Sequence, residues 1–492
     1  MKAIILAAGM GTRLAPMTLL KPKPLLEIRG IALLENMIKH LQAGGVNDII
    51  VVTGYKSELF TPYAKRLGFK QITYSDYATK NSAASLKLVI DEMQKGSIIL
   101  NGDLYLTESF FQYIKPNVSQ FIAQTITNNV ISWGYITDSN FKIQDIDTNA
   151  TSGYGDGIAV FDNEKDIEIF KQELEKCSDD EYWEYCVLRS LTKIDCYAFH
   201  HNTYVEIDSF QDALYHDLLT PEDIAVQCSD DSHIQRLGGI TNINYKITFL
   251  GQEKVIRIPR KGIENIVNRD SEKEIISLLQ NTDITTQCEF YDSNIKLSTF
   301  LNDYRILTFE DIKNKEKIFP LIVEKLKKLH SFTFKDYPTF QSISMVGEIV
   351  KFEKLAKIPL LTQQEHKLLL NIARKMDKDI SVLCHRDLQL PNIMYNGCEV
   401  KFIDFEYAGF CSIAWEIGNL SAELELNKDE ILYFISLYDK ITYLEVIEGQ
   451  LLSNYIWALW GFIYNRIDVA RNYIKRLDSN LAILQSQEME FS

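Results

Sequence analysis

The stretch LAAGMGTRLAP, residues 6–16, decides how the first half of the chain folds. It leaves an apolar run at 2–7 and turns at once into glycines and a single arginine, as a strand does when it ends in a phosphate-handling loop. Apolar runs at 48–53 and 97–101 read as further buried strands, and helical periodicity fills 31–43, 57–67 and 82–95. Gly44 and Gly45 close the first of those helices. Such alternation predicts an α/β unit with a mostly parallel sheet, helices on both faces and ligands at the carboxyl ends of the strands. Gly9–Arg13 and Asp103 then share one rim.

A chain of 492 residues exceeds one ordinary core, so two or three domains are expected. Hydrophobic content of 46% and charged content of 24% are those of a soluble globular protein. A net charge of −15 argues against nucleic acid as a partner, since phosphate backbones attract basic surfaces. The eight cysteines form no CxxC pair and no Cys/His cluster at zinc spacing, and reduced thiols are expected over disulfides. MKAIILAAGM is too short for a signal segment, and YIWALWGFIY at 455–464 is about half a membrane span, hence a buried helix. The expectation is a cytoplasmic protein without stable membrane insertion.

The alternating pattern breaks at CSDDSHIQRL, 228–237, which sets domains at 1–228 and 233–492. Two strand-like runs follow, GGITNINYKITFL and KVIRIPR, then a helix from about 270 and mainly helices after 306. A hairpin at 393–404 turns at Asn396-Gly397, which as a two-residue turn sets Tyr395 opposite Cys398 and Asn392 opposite Lys401. Asp404 thereby returns to the loop HRDLQLPN, 385–392. Phosphoryl transfer needs such a set: Asp387 to orient an accepting hydroxyl, and Asn392 with Asp404 to hold metal. A small sheet-bearing lobe before a helical lobe is the α+β, two-lobed outline of a kinase-like fold.

In the first half, Gly9 and Gly11 let backbone N–H groups approach an anion, Arg13 can grip phosphate oxygens in pairs, and Lys23 supplies a mobile point charge. Glycines alone would fit a plain tight turn; Arg13 and the Lys-Pro-Lys-Pro run tip the balance. LAAGxGTRL at Leu6–Leu14 and PKxL at Pro22–Leu25 resemble the nucleotidyltransferases that make nucleoside-diphosphate-activated small molecules, over roughly 1–220. The resemblance implies a Rossmann-like domain in which Leu6, Ala8, Gly9, Gly11 and Thr12 wrap a nucleotide while Arg13 and Lys23 neutralise its triphosphate. It also implies Mg²⁺ held by Asp103 and Asp208, and a substrate phosphate as nucleophile. With TKNSAASLKL at 79–88, the order of pieces is most similar to bacterial phosphocholine cytidylyltransferases, which implies CTP and places Asn81 and Ser82 near nucleotide or substrate. Tyr154, Tyr182, Trp183 and Tyr185, set among acids, are candidates to hold a quaternary ammonium by cation–π attraction, with core packing as the rival reading.

Residues 233–492 resemble the aminoglycoside-phosphotransferase and choline-kinase superfamily. By that resemblance LGGITNINY covers ATP phosphates through Thr241, Asn242 and Asn244, and Arg257 stands where protein kinases carry a strand lysine. Glu272 is the expected partner of Arg257, with Glu274 as alternative. DFEYAG replaces Asp-Phe-Gly, as in choline and ethanolamine kinases. Glu406, Glu423, Trp415, Trp457 and Trp460 are candidates for a cation-binding acceptor pocket; tryptophans at helical spacing also read as core. His330 and His366 read as structural. The combined expectation is a bifunctional enzyme that phosphorylates choline with ATP and joins phosphocholine to CTP, releasing pyrophosphate and CDP-choline. The rivals are the same chemistries on ethanolamine, a phosphonate or a sugar phosphate, or one half serving as a non-catalytic nucleotide-binding regulatory module.

Overall fold

Strand Lys2–Ala7 carries side chains that alternate between two cores: Ile4 and Leu6 join one, Ala3, Ile5 and Ala7 the other. A strand buried on both faces belongs in the middle of a sheet, and this one pairs in parallel with Asp48–Thr53 and Ser97–Asn101. Lys70–Thr73 extends the parallel edge. Helix Leu33–Ala43 makes the crossover and ends at Gly44. The computed structural model describes residues 1–126, 132–231, 233–239, 241–260, 266–292 and 295–490.

The sheet is mixed, which corrects the mostly parallel expectation. Gly153–Phe161 pairs antiparallel with Ser97–Asn101, Ser119–Ile126 and Ser132–Thr137. No helix lies between Ser119 and Phe161 among the described residues, and strands joined without a crossover pair antiparallel. The helix expected over 82–95 is shorter, Ser82–Lys87. Cys177 and Cys186 form a disulfide, against the expectation of reduced thiols; the ends of two neighbouring helices bring their Cα atoms to 6.3 Å.

The chain divides into two compact units, Met1–Arg236 with Ile247–Gln252, and Leu237–Lys246 with Glu253–Ser492. In the second, a sheet runs Asn242–Phe249, Gln252–Pro259, Ile295–Thr299, Cys288–Asp292, and helix Arg269–Leu279 follows its first hairpin. Helices then dominate. Ile393–Tyr395 pairs with Val400–Phe402 in a register that differs from the expected one: Tyr395 faces Val400 and Met394 faces Lys401. The turn spans four residues because the Asn396 side chain accepts from the N–H groups of both Cys398 and Glu399. Asn392 consequently sits beside the far end of the hairpin, its carbonyl accepting from Ile403 N at 3.0 Å. Helix Tyr443–Ile463 takes in all of the YIWALWGFIY run except its last residue, Tyr464, which caps it, and is buried along most of its length. Among the described residues no helix is long and apolar enough to cross a membrane.

Candidate active sites

The first site is a cavity of about 770 Å³ at the carboxyl ends of the central strands, lined by Leu6, Ala8, Gly9, Gly11, Thr12, Arg13, Lys23, Asn81, Ser82, Asp103 and Asp208. Gly11 is held at φ 62°, where a Cβ would lie 2.9 Å from Lys23 Cβ, so the loop closes over the lysine only with glycine there. Asp103 sits between the strands Ser97–Asn101 and Leu104–Leu106. Asp208 lies between strand Tyr204–Glu206 and helix Phe210–Tyr215, whose start is fixed by a Ser209–Asp212 capping box. Lys23 Nζ donates to Asp103 Oδ2 at 2.9 Å and Asp208 Oδ1 at 3.0 Å, and Arg13 reaches the same Asp208 oxygen at 3.0 Å. Burial works against the Lys23 charge, yet the two carboxylates outweigh it and hold the ammonium above its usual range. The same balance, with burial opposed by Lys23 and Arg13, keeps the Asp208 carboxyl below its usual range.

Glu206 completes this site and escaped the sequence reading. One oxygen from each of Asp103, Glu206 and Asp208 falls within 4.8 Å of the others. Asp103 Oδ1 is buried with no hydrogen-bond partner among the described residues. Three hard oxygen donors and an orphaned carboxylate oxygen fit a divalent cation of the magnesium class. Beside them stands an aromatic wall: Trp133 meets Tyr182 and Tyr185 edge-on, with centroids 5.0 Å away in each case. Trp133, Tyr182, Tyr77 and Glu184 line the cavity.

Trp183 does not join that wall. It is fully buried, stacks on Phe121 and donates its indole N–H to Asn101 Oδ1 at 3.2 Å. The correction has a simple cause: Trp183 caps the helix Glu184–Ser190, whose packing turns successive side chains to different faces. Tyr154 likewise stacks on His200 and is not among the cavity-lining residues. Asn81 and Ser82 line the cavity and also tie down the 179–183 segment, since Asn81 N donates to Asp179 O and Ser82 Oγ accepts from Trp183 N.

In the second unit, Arg257 and Glu272 form a buried two-pronged pair at 2.5 and 2.9 Å. Arg257 also donates to Asp404 Oδ1 at 3.2 Å, while Lys296 and Arg269 reach Glu272 at 3.2 and 2.9 Å. Burial opposes the Glu272 charge, but these cations outweigh it and the carboxyl stays ionised. Glu274 is exposed and takes no part in the pair.

Around Asp387, Asn392 Nδ2 donates to its backbone carbonyl at 2.8 Å and to Oδ2 at 3.1 Å. Asp387 is pushed well above the carboxylate range by burial and by the neighbouring charges of Glu423, Glu406 and Asp404. Negative charge crowded around Asp387, Asn392 and Asp404 fits a divalent cation as counter-charge. Glu406, a candidate for the acceptor pocket, is held by other groups of the protein. Its oxygens accept from Thr241 Oγ1 at 2.7 Å and Asn242 Nδ2 at 2.8 Å, and Arg269 lies 3.1 Å away. A buried carboxylate needs such donors, so Thr241 and Asn242 spend their side chains on Glu406. Asn244 donates to Gly238 O.

The first unit, over residues 2–146, matches the Nucleotidyl transferase family model, and residues 234–444 match that of Choline/ethanolamine kinase. Choline-phosphate cytidylyltransferase of Streptococcus pneumoniae is 33% identical across 43% of this chain and 95% of its own length. The chain joins a nucleotidyltransferase related to that enzyme to a choline/ethanolamine kinase domain. A 2-aminoethylphosphonate cytidylyltransferase of Lancefieldella rimae is 30% identical over 31% of the chain and 63% of its own length. The crystal structure of the choline kinase LicA of Streptococcus pneumoniae is 23% identical, covers 51% of this chain and 93% of that protein, and has a TM-score of 0.43.

Within the choline/ethanolamine kinase domain, the three candidate tryptophans separate. Trp415 is fully buried, with the Arg386 guanidinium 5.0 Å from its ring, so protein already covers the face offered to a substrate cation. Its helix, Ile413–Glu423, is buried nearly all round, which leaves no side for a ligand. Trp457 and Trp460 pack on Tyr407, one edge-on at 5.2 Å and the other through Nε1 to the Tyr407 hydroxyl at 3.1 Å. Burial, with the charges of Glu406 and then Asp387, pushes the Tyr407 hydroxyl up; burial, with Glu423 and then Asp387, does the same to Tyr473, which hydrogen-bonds Glu423. These two tyrosines were not singled out from the sequence, where Tyr407 follows Glu406 in DFEYAG and Tyr473 lies 66 residues further on.

Proposed function

We propose that the kinase domain transfers phosphate from ATP to choline and that the nucleotidyltransferase domain joins phosphocholine to CTP, releasing CDP-choline and pyrophosphate. The observation that carries this reading is the cavity in which the Trp133–Tyr182 wall stands beside Asp103, Glu206 and Asp208. Aromatic faces attract a quaternary ammonium, and the acidic end of the same cavity suits metal-complexed phosphates.

In the kinase domain, Asp387 orients the choline hydroxyl and takes its proton as the γ-phosphoryl group arrives. Arg257 steadies the ATP phosphates, itself held straight by Glu272. Tyr407, Tyr473 and Glu423 surround the cationic end of choline, with Trp457 and Trp460 packed on Tyr407. In the nucleotidyltransferase domain, an oxygen of phosphocholine attacks the α-phosphorus of CTP and pyrophosphate leaves. No protein base is required, because the attacking phosphate is already ionised. Gly9, Gly11 and Thr12 present the loop backbone to the nucleotide, and Arg13 and Lys23 offset the triphosphate charge. Asp103, Glu206 and Asp208 in one domain and Asn392 and Asp404 in the other would hold magnesium, which when bound would supply charge neutralisation at the phosphoryl oxygens.

The 30% identity to a 2-aminoethylphosphonate cytidylyltransferase favours one second reading, a primary-amine phosphonate in the first cavity. Turnover of the full chain with choline, ATP, CTP and Mg²⁺ decides between them. CDP-choline should form, and phosphocholine should outcompete phosphoethanolamine and 2-aminoethylphosphonate at equal concentration. Equal or better use of either primary amine contradicts the choline assignment.

A further inference from the structure

No two cysteines or histidines stand at zinc spacing in the sequence, yet the fold assembles a mixed donor set from three distant segments. His330 caps the helix Lys315–Leu329, Cys384 ends the strand Val382–Cys384, and Glu416 lies in the helix Ile413–Glu423. One donor atom from each falls within 4.8 Å of the others. Their exposures are 7%, 0% and 1%, so water does not serve them.

Two of the three carry an atom left over. His330 Nδ1 is taken by the Tyr438 hydroxyl at 2.6 Å, and Nε2 has no hydrogen-bond partner among the described residues. Glu416 Oε2 accepts from Arg386 N at 2.9 Å, while Oε1 is buried without a partner. The Cys384 thiol lies 3.7–4.0 Å from the carbonyls of Val382, Cys411 and Ser412 and close enough to Glu416 and Cys411 to hydrogen-bond with their side chains. An imidazole fixed through its second nitrogen and a carboxylate fixed through its second oxygen are how proteins aim metal ligands.

We propose that His330, Cys384 and Glu416 bind one zinc-class divalent ion at the base of the loop that carries Asp387. A thiolate, a carboxylate and a neutral imidazole sum to two negative charges, so the ion would leave this buried site electrically neutral. Binding expels the thiol proton to solvent and forms bonds from sulfur, oxygen and Nε2 to the ion, with no change of oxidation state. Thiolate and imidazole select zinc-class ions over magnesium, unlike the all-carboxylate set at Asp103. Cys411 lies on the same face of the Val382–Cys384 and Gly409–Cys411 ladder and is the nearest source of a fourth ligand. Because Glu416 also holds the Arg386 amide, the ion would tie down the residue before Asp387.

Cobalt tests this without reference to turnover. The full chain, produced with Co²⁺ in place of zinc and then exchanged into chelator and Mg²⁺, should retain about one equivalent of cobalt and show a thiolate-to-cobalt absorption band. Cys384→Ser should remove the band and lower retained cobalt at least about tenfold. Cys398→Ser, at an exposed thiol, should leave both unchanged. His330→Gln, whose amide can still meet Tyr438, should also release the ion and serves if Cys384→Ser fails to fold. No retained cobalt in the parent chain, a band that survives both ligand substitutions, or a band that depends on Cys398 overturns the proposal.

Discussion

The two reaction centres handle phosphorus chemistry with opposite treatments of charge. In the nucleotidyltransferase domain, Asp103, Glu206 and Asp208 are half-buried along an open cavity, where Lys23 bridges Asp103 and Asp208 and Arg13 meets Asp208. The kinase domain buries its balance: Arg257, Arg269 and Lys296 converge on a Glu272 whose side chain has no exposure. A substrate can reorganise the first arrangement, because the lysine that spans two carboxylates can be released to a triphosphate. The second is part of the core, with Arg257 and Glu272 both buried. Substitutions should therefore cost function in the first centre and folding as well as function in the second.

The largest separation comes from one aspartate in each proposed centre. Asp387→Ala should lower choline phosphorylation by about 10²–10⁴ and leave cytidylyl transfer from supplied phosphocholine intact. Asp103→Ala should do the reverse, with a loss of about 10²–10³. Separate assays of ADP and pyrophosphate release check both. Next, Glu272→Ala takes the shared carboxylate from Lys296, Arg257 and Arg269, leaving the two arginines to Asp404 and Glu406, and should destabilise the kinase domain by about 3–5 kcal/mol in urea melts. A stable variant with merely slow phosphorylation would erase the contrast drawn here.

Smaller effects sharpen the picture of the first cavity. Glu206→Gln should raise the Mg²⁺ needed for half-maximal cytidylyl transfer by about 10–100-fold, measured by titration at saturating CTP. Trp133→Ala should weaken phosphocholine binding by up to about 30-fold, the worth of one well-placed cation–π contact, with less effect on CTP. The smallest concerns a surface pair away from either centre. Arg66 bonds Glu35 and lowers its carboxyl to about 2, so the pair stabilises above the unfolded carboxyl value and fades as pH falls through about 2. Glu35→Gln should cost at most about 1 kcal/mol at neutral pH, given the exposed arginine, and nothing near pH 2.

Much of this could be read from the chain. The strands at 2–7, 48–53 and 97–101 appear at those positions, because continuous apolar runs flanked by glycines leave few alternatives. The antiparallel half of the sheet was hidden, since strand direction depends on connections that local pattern does not record. Glu206 was missed although it stands two residues before Asp208 in YVEID; the interval that sets both on one side of a strand end was the available signal. The aromatic assignments divided by burial. Tyr182 reaches the cavity and Trp183 the core because one residue along a helix start changes the face, and Trp133 gave no hint without its partners. The bonding of Glu406 was hidden for a similar reason: its donors, Thr241, Asn242 and Arg269, lie about 140–165 residues away in sequence.

The independence of the two centres is tested most directly by giving the Asp387→Ala chain CTP, ATP and Mg²⁺ with either choline or phosphocholine, and quantifying CDP-choline. The account predicts product from phosphocholine at the rate of the unaltered chain and essentially none from choline. Equal product from both, or none from either, would contradict it.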